Sequence, residues 1–296
     1  MKILVTGATG FVGKHLLRKL SDDNSEVVIS IRPDEKSPFT TRILTHVFNY
    51  DKIQDDIAFL KEQELDGVIH LASLYLTTHK PEQAIQLIES NVKFGTHILE
   101  ASAHAGIEWF INTGTFWQNY DNDEYSPVNL YASTKQAFES IAQYYIETDQ
   151  IKFCTIKLAD TFGPGDSRPK IFNLWDKISK TGEILDMSPG EQVLDLCYID
   201  DIVDCFMLLA DHLIRNNPTI RNGEVYSVTA EKRFTLKELA IMFVEATGRK
   251  LNINWGGKPY REREVMVPWQ AGRRVPGWYP KTSVEDGIKK MYEASK

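Results

Sequence analysis

The chain opens on a short run of strand formers, Lys2-Ile3-Leu4-Val5-Thr6, that passes directly into Gly7-Ala8-Thr9-Gly10-Phe11-Val12-Gly13. Val12, Leu16 and Leu20 follow at helical spacing. Strand, glycine turn and helix thus stand in the order that cradles a pyrophosphate. Gly7 permits the tight turn, Gly10 lets backbone N–H groups approach phosphate oxygens, and Gly13 lets the helix pack closely on the strand. The helix then turns its positive end toward the anion. The spacing is G-x-x-G-x-x-G rather than G-x-G-x-x-G, and the flanking strand and helix give the three glycines their meaning. Thr9, Phe11 and Val12 lie in the same turn and are read as contacts of the same ligand.

Strands and helices continue to alternate. Residues 27–31, 44–48, 66–73, 109–112 and 153–158 read as strands, and 53–61, 81–105 and 129–148 as helices. This alternation predicts an α/β fold, a Rossmann-type doubly wound parallel sheet whose ligand lies beyond the carboxyl ends of the strands. Residues 1–165 are expected to form the dinucleotide-binding domain, with 195–230 returning to it. Residues 166–194 and 231–296 are expected to form mainly a smaller substrate-binding lobe, with 182–196 loop-rich and a last helix beginning at Thr282.

The end of the second strand bears on which dinucleotide is bound. An acid there accepts the adenosine ribose hydroxyls, whereas a cation suits a 2′-phosphate. The tip is Ile31-Arg32, with no carboxylate before Asp34, which favours NADP(H), with NAD(H) as the alternative. Asn49 and Asp51, after the third strand, offer polar side chains to the adenine edge. Leu71, Ala72 and Ser73 close the fourth strand with small residues that let a cofactor lie near the backbone, and His70 before them is read as a packed histidine.

Composition narrows the function classes. A net charge of -7 disfavours a nucleic-acid partner. Cys154, Cys197 and Cys205 sit in apolar runs without metal-ligand spacing, so they read as small buried side chains in a reducing compartment, and no metal site is expected. No stretch approaches the length of a membrane span, and the N-terminal apolar run enters a glycine turn as a strand does. The expected address is the cytoplasm.

Tyr131-Ala132-Ser133-Thr134-Lys135 carries the chemistry. A phenol and an ammonium at i and i+4 share one helix face, roughly 5–6 Å apart at their Cβ atoms. A free tyrosine titrates near about 10, and a neighbouring cation is expected to draw that value toward the working pH. Thr115, after the fifth strand, is placed to hydrogen-bond a substrate oxygen beside Tyr131.

At these residues the chain resembles the extended short-chain dehydrogenase/reductase family, in its sugar-nucleotide epimerase/dehydratase group. The likeness covers nearly the whole length. Its markers are the Thr6 to Gly13 turn, His70-Leu71-Ala72, Asn91-Val92-Lys93-Phe94-Gly95-Thr96, Thr113-Gly114-Thr115 and Tyr131 with Lys135. Further on come Phe162-Gly163-Pro164-Gly165-Asp166, Tyr198-Ile199-Asp200-Asp201-Ile202 and Arg261-Glu262-Arg263-Glu264. Within the group, residues 112–115 and the Gly190-Glu191-Gln192 segment before Asp195 are most similar to CDP-abequose and CDP-paratose synthases, NADPH-dependent reductases of CDP-linked 4-keto-3,6-dideoxyhexoses.

The resemblance implies that Tyr131 donates a proton to a C4 ketone while NADPH delivers hydride, in deoxysugar synthesis of the O-antigen type. Lys135 would hold the nicotinamide ribose and tune Tyr131, and Thr115 would orient the carbonyl. Asn91, Thr113 and Leu158 would belong to the cofactor side. Tyr75, Phe116, Trp117, Asp160, Arg168 and Glu264 would face the sugar nucleotide, with Arg261 on its diphosphate. It also implies a homodimer through the Asn91 and Tyr131 helices.

Three departures shape the expectation. Family dehydratases resemble one another in an Asp-Glu pair after the catalytic threonine, where this chain has Phe116-Trp117, so dehydration is disfavoured. Leu194 stands where many relatives have an arginine, and Arg168, Lys170 and Arg263 are candidates to replace it. Asp160 and Lys157 replace residues that are often Asn and Arg, which reshapes the sugar pocket. The leading reading is a nucleotide-sugar 4-ketoreductase acting on a CDP-sugar. The alternatives are an NAD-dependent 4-epimerase and, outside catalysis, a dinucleotide-sensing regulator.

Overall fold

The computed structural model describes residues 1–31 and 43–293; Arg32, assigned above to the cofactor, lies outside them. In chain order the first half gives β1 (Lys2–Thr6), α1 (Phe11–Asp22), β2 (Glu26–Ser30), β3 (Leu44–His46), α2 (Ile53–Gln63), β4 (Gly67–His70), α3 (Gln83–Ile88), α4 (Phe94–Ala105), β5 (Trp109–Thr115), α5 (Leu130–Glu147) and β6 (Lys152–Leu158). The second half gives β7 (Asp160–Phe162), α6 (Ile171–Thr181), β8 (Leu185–Met187), β9 (Val193–Leu194), β10 (Leu196–Tyr198), α7 (Ile199–Ile214), β11 (Val225–Val228), β12 (Phe234–Thr235), α8 (Leu236–Thr247), β13 (Ile253–Trp255) and α9 (Val284–Glu293).

Seven strands form the main sheet in the order β11-β6-β5-β4-β1-β2-β3. Every pairing within it is parallel. Parallel strands need both faces covered, and side chains alternate between those faces. Ile3 and Val5 accordingly enter one core with Leu16 and Leu20 of α1 and Phe206 of α7. Leu4 enters the other with Leu60 of α2, Leu99 of α4 and Phe138 of α5. Strand order reverses at β1, which has β2 on one side and β4 on the other. The turns after β1 and β4 therefore face each other across the crevice where such sheets take ligands.

β11, from the second half of the chain, returns to the main sheet beside β6. Outside it, among the described residues, lie three two-stranded ladders, β10 with β7, β12 with β9 and β13 with β8. The segment expected to be loop-rich thus contains β8 and β9, whose strands are too short to show a periodic signal. The expected single helix over 81–105 is broken by a π turn at Glu89–Lys93 between α3 and α4. α8 starts with a capping box, Thr235 accepting from the Glu238 N–H while Glu238 reaches back to the Thr235 N–H. Cys154, Cys197 and Cys205 are buried free thiols. No helix among the described residues is long and apolar enough to cross a membrane.

Candidate active site

The turn after β1 is shaped by what it cannot hold. Gly7 has φ +69, and a Cβ there would lie 2.6 Å from the Ala72 nitrogen and 2.7 Å from the Leu71 carbonyl carbon. A Cβ on Gly13 would collide with the Gly7 oxygen. Backbone thus packs on backbone at both glycines. Gly10, by contrast, closes the turn with its N–H donating to the Gly7 oxygen at 3.0 Å. It also begins α1 with no side-chain cap, leaving the first helical N–H groups for an anion.

From this turn a cleft of about 960 Å³ runs between the ends of β2 and β3 and the π turn. Gly7, Thr9 and Gly10 line it, with Leu71, Ala72 and Ser73 opposite and Asn49 farther along. Tyr50, rather than the expected Asp51, lines the cleft beside Asn49; the Asp51 N–H instead donates to the Asn49 side chain at 3.0 Å. The Lys93 ammonium lies 4.2 Å from the centre of the Tyr50 ring. A glycine-floored cleft ending at a helix N-terminus fits an extended dinucleotide.

Asn91 is fully buried in the π turn and does not line this cleft. Its Oδ1 accepts from the Leu74 N–H at 2.7 Å and the Ser73 hydroxyl at 3.2 Å. Its Nδ2 donates to the Leu74 oxygen and to Thr134 Oγ1, both at 3.0 Å. One amide therefore ties the turn after β4 to α5. Leaving any of these buried groups unpaired would be expensive, which accounts for the break in helical register. Ser73 in turn lies near enough to the Tyr131 phenol to oppose the rise of its pKa.

Tyr131 and Lys135 lie on the buried face of α5, as their spacing predicts. Tyr131 lines a pocket of about 110 Å³ with Thr113, Thr115, Phe116, Trp117 and Leu158, and Val12 of α1 completes the wall on the cofactor side. Thr115 caps a short 3-10 turn: its Oγ1 accepts from the Trp117 N–H at 3.3 Å, which leaves its own proton to donate. The expectation that a cation draws Tyr131 toward neutrality is not met. Burial pushes the phenol up to about 12, Tyr75 adds to this, and Ser73, Lys170 and Arg168 oppose it. Lys135 is itself lowered to about 8 by burial, with the Glu139 carboxylate one turn along α5 pulling it back up. No side chain or backbone group among the described residues accepts a hydrogen bond from its ammonium. Lys135 is buried one turn along α5 from Tyr131 and lines neither the cleft nor the pocket.

His70 is the packed histidine that was expected. Thr6 Oγ1 lies 2.8 Å from its Nδ1 and also accepts from the Ala72 N–H. Burial first, and Lys135 second, hold its pKa well below the usual imidazole value, so it stays neutral.

Residues 3–228 match the model of the NAD dependent epimerase/dehydratase family. The chain belongs to that family. A CDP-abequose synthase of Salmonella typhimurium is 26% identical over 296 residues, covering 98% of this chain and 96% of the relative. Among solved structures, the UDP-glucose 4-epimerase of Thermotoga maritima with UDP-glucose has a TM-score of 0.84 at 21% identity, over 100% of this chain and 98% of its own. A UDP-glucose 4-epimerase of Stenotrophomonas maltophila with bound NAD and formylated UDP-arabinopyranose has a TM-score of 0.85 at 17% identity, over 99% and 97% of the two chains. These neighbours confirm the fold, a Rossmann-like parallel sheet flanked by helices.

A second pocket of about 220 Å³ adjoins the first through Phe116, Trp117 and Asp160, and Leu194 and Arg261 line it. Arg261 donates to Glu264 at 2.9 and 2.8 Å, and its guanidinium lies 5.6 Å from the Trp117 ring centre. Of the three candidates to replace the family arginine, Arg168 and Lys170 line the first pocket while already paired within the chain, and Arg263 lines neither pocket. Arg168 grips Asp166 and the Thr161 hydroxyl, with its guanidinium 4.6 Å from the Phe11 ring centre. Lys170 binds Asp160 at 2.7 Å, and Arg263 donates to Ser126 at 2.7 Å. Phe11 supports Arg168 and does not line either half of the site.

Sequence reasoning missed Gln118 and Glu139. The Gln118 carbonyl accepts from the Thr115 N–H at 2.8 Å, while its amide donates to Gln136 and Glu139 at 2.8 and 3.0 Å. This clamp fixes the end of β5 against α5, and the Thr115-x-x-Gln118 capping box was its one sequence signal. No group of His, Cys, Asp and Glu among the described residues is placed to hold a metal ion.

Proposed function

We propose that the protein is an NADP(H)-dependent reductase of a nucleotide-linked 4-keto-deoxysugar, with a CDP-sugar favoured, serving deoxysugar synthesis of the O-antigen type. One observation carries the reading. Tyr131 and Thr115 share a pocket whose wall includes Val12, from the helix that the glycine turn begins. A proton donor and the nicotinamide end of the cleft thus meet at one small space.

A bound reduced nicotinamide supplies the hydride. Tyr131, with its pKa at about 12, keeps its proton through neutral pH and gives it to the ketone oxygen as the C4 carbonyl becomes an alcohol. Thr115 donates to the same oxygen and fixes its direction. Lys135 holds the cofactor's ribose hydroxyls, and its charge steadies the phenolate that Tyr131 briefly becomes. Arg261 pairs with the diphosphate, exchanging its contact with Glu264 for phosphate oxygens.

A reductase is favoured over a 4-epimerase because Arg32, with no strand-end acid before it, suits an exchangeable NADPH. The likeness to CDP-abequose synthases supports the same choice. Bound NAD in a fold neighbour supports a nicotinamide dinucleotide, and Arg32 is the ground for the NADP(H) form. The homodimer belongs to the proposal as well: Ile85 and Ile88 on α3 and Tyr144 on α5 are exposed apolar side chains on the helices concerned. The direct test is a screen of CDP-, dTDP-, GDP- and UDP-linked 4-ketosugars with NADPH and NADH, following reduced-cofactor absorbance. Consumption of NADPH with a CDP-ketosugar is expected. Tightly retained NAD with interconversion of C4 epimers would support the epimerase instead.

A further inference from the structure

The reacting pocket has a second polar wall that the chemistry above leaves unused. Lys170 donates to Asp160 Oδ1 at 2.7 Å, and its charge acts on the Tyr75 phenol beside it. Its ammonium lies 5.1 Å from the Tyr75 ring centre. That ring stands edge-on to Tyr131 with centroids 5.2 Å apart, and all four residues line the pocket. Two phenols and one ammonium therefore face one space.

The hydrogen-bond accounting of this wall is specific. The Tyr75 O–H is left to give, since the neighbouring Lys170 ammonium has no lone pair to accept it. Among the described residues Asp160 Oδ2 accepts from no group, and the only side chain Lys170 is seen to reach besides Tyr75 is Asp160. An open donor thus lies beside an open acceptor. A hydroxyl, which gives and takes one hydrogen bond, satisfies both, whereas a methylene satisfies neither. Much of the remaining lining, Val12, Phe116, Trp117, Leu158 and Ala159, is apolar and suits a methyl group.

We propose that the Tyr75–Lys170–Asp160 wall reads a hydroxyl on the carbon next to the ketone, so that the substrate is a nucleotide-linked 4-keto-6-deoxyhexose that keeps its C3 hydroxyl. This rests on the ketoreductase reading and parts from the 3,6-dideoxy sugars that the sequence resemblance implies. A pocket built to hydrogen-bond a hydroxyl rejects the analogue lacking it far more strongly than an apolar pocket rejects a missing methylene, because the buried polar groups are left unpaired.

The test is kcat/KM of the full-length enzyme on two ketosugars with the same nucleotide, 4-keto-6-deoxyglucose and 4-keto-3,6-dideoxyglucose, with NADPH. A preference for the hydroxylated sugar above about 100-fold is expected. Tyr75→Phe, which removes only the hydroxyl, and Lys170→Met should each shrink that ratio at least tenfold, with NADPH titration checking that the variants are folded. A smaller wild-type preference, a preference for the dideoxy sugar, or a ratio unmoved in Tyr75→Phe overturns the proposal. If neither sugar is reduced, the ketoreductase reading itself falls, which is a separate result.

Discussion

A Cβ on Gly7 would stand 2.6 Å from the backbone nitrogen of Ala72. The main chains of the two turns that flank the reversal point of the sheet approach closely here, and a side chain at Gly7 would push them apart. Gly7→Ala also places alanine at φ +69, a strained conformation for an L residue. A stability loss of about 1–3 kcal/mol is expected, read by urea denaturation, together with weakened NADPH binding. Unchanged binding would show that the turn does not set the phosphate cradle.

Asn91→Ala should act at a distance from the cofactor. It frees the Leu74 N–H and carbonyl and unties Thr134. A loss of about 1–3 kcal/mol in stability follows from the unpaired buried groups. Ser73 would also lose its anchor, so turnover should fall. Wild-type turnover in a destabilised variant would separate the anchor from the chemistry.

What was legible in the sequence was local. Gly7, Gly10 and Gly13 declare a turn because steric demands recur at short spacing. Tyr131 and Lys135 declare a shared face because a helix brings i and i+4 together. Most strands were visible because a sheet covered on both faces needs continuous apolar runs. The Tyr75–Lys170 wall and the Gln118–Glu139 clamp join residues from separate elements, and no spacing encodes such contacts. The π turn was hidden for a related reason, since its cause is the pairing of Asn91 with Leu74 and Thr134. The expected pull of Lys135 on Tyr131 failed because burial dominates both groups, a quantity that sequence does not reveal.

The pH profile should carry the signature of Lys135. Its ammonium is the working form, with a pKa at about 8, so kcat/KM is expected to stay level through neutral pH and to fall on the alkaline side as that charge is lost. The Glu139 carboxylate raises this value. Glu139→Gln should therefore move the alkaline limb to lower pH. A limb that stays in place, or moves upward, would contradict the coupling.

Cofactor choice should follow the end of β2, where Ser30 and Ile31 line the cleft and Arg32 comes next. Arg32→Asp replaces a cation suited to a 2′-phosphate with an acid suited to a ribose diol. The ratio of kcat/KM for NADPH to that for NADH should drop in the variant. An unaltered ratio would remove the argument for the phosphate.

The central claim is that Tyr131 is the proton donor to a sugar ketone, and single-turnover reduction by Tyr131→Phe tests it most directly. With enzyme and NADPH in excess over a nucleotide-linked 4-ketosugar, the variant should bind NADPH as the wild type does. Its reduction rate should fall by about two or more orders of magnitude, the scale of a lost general acid. Reduction at the wild-type rate would contradict the claim.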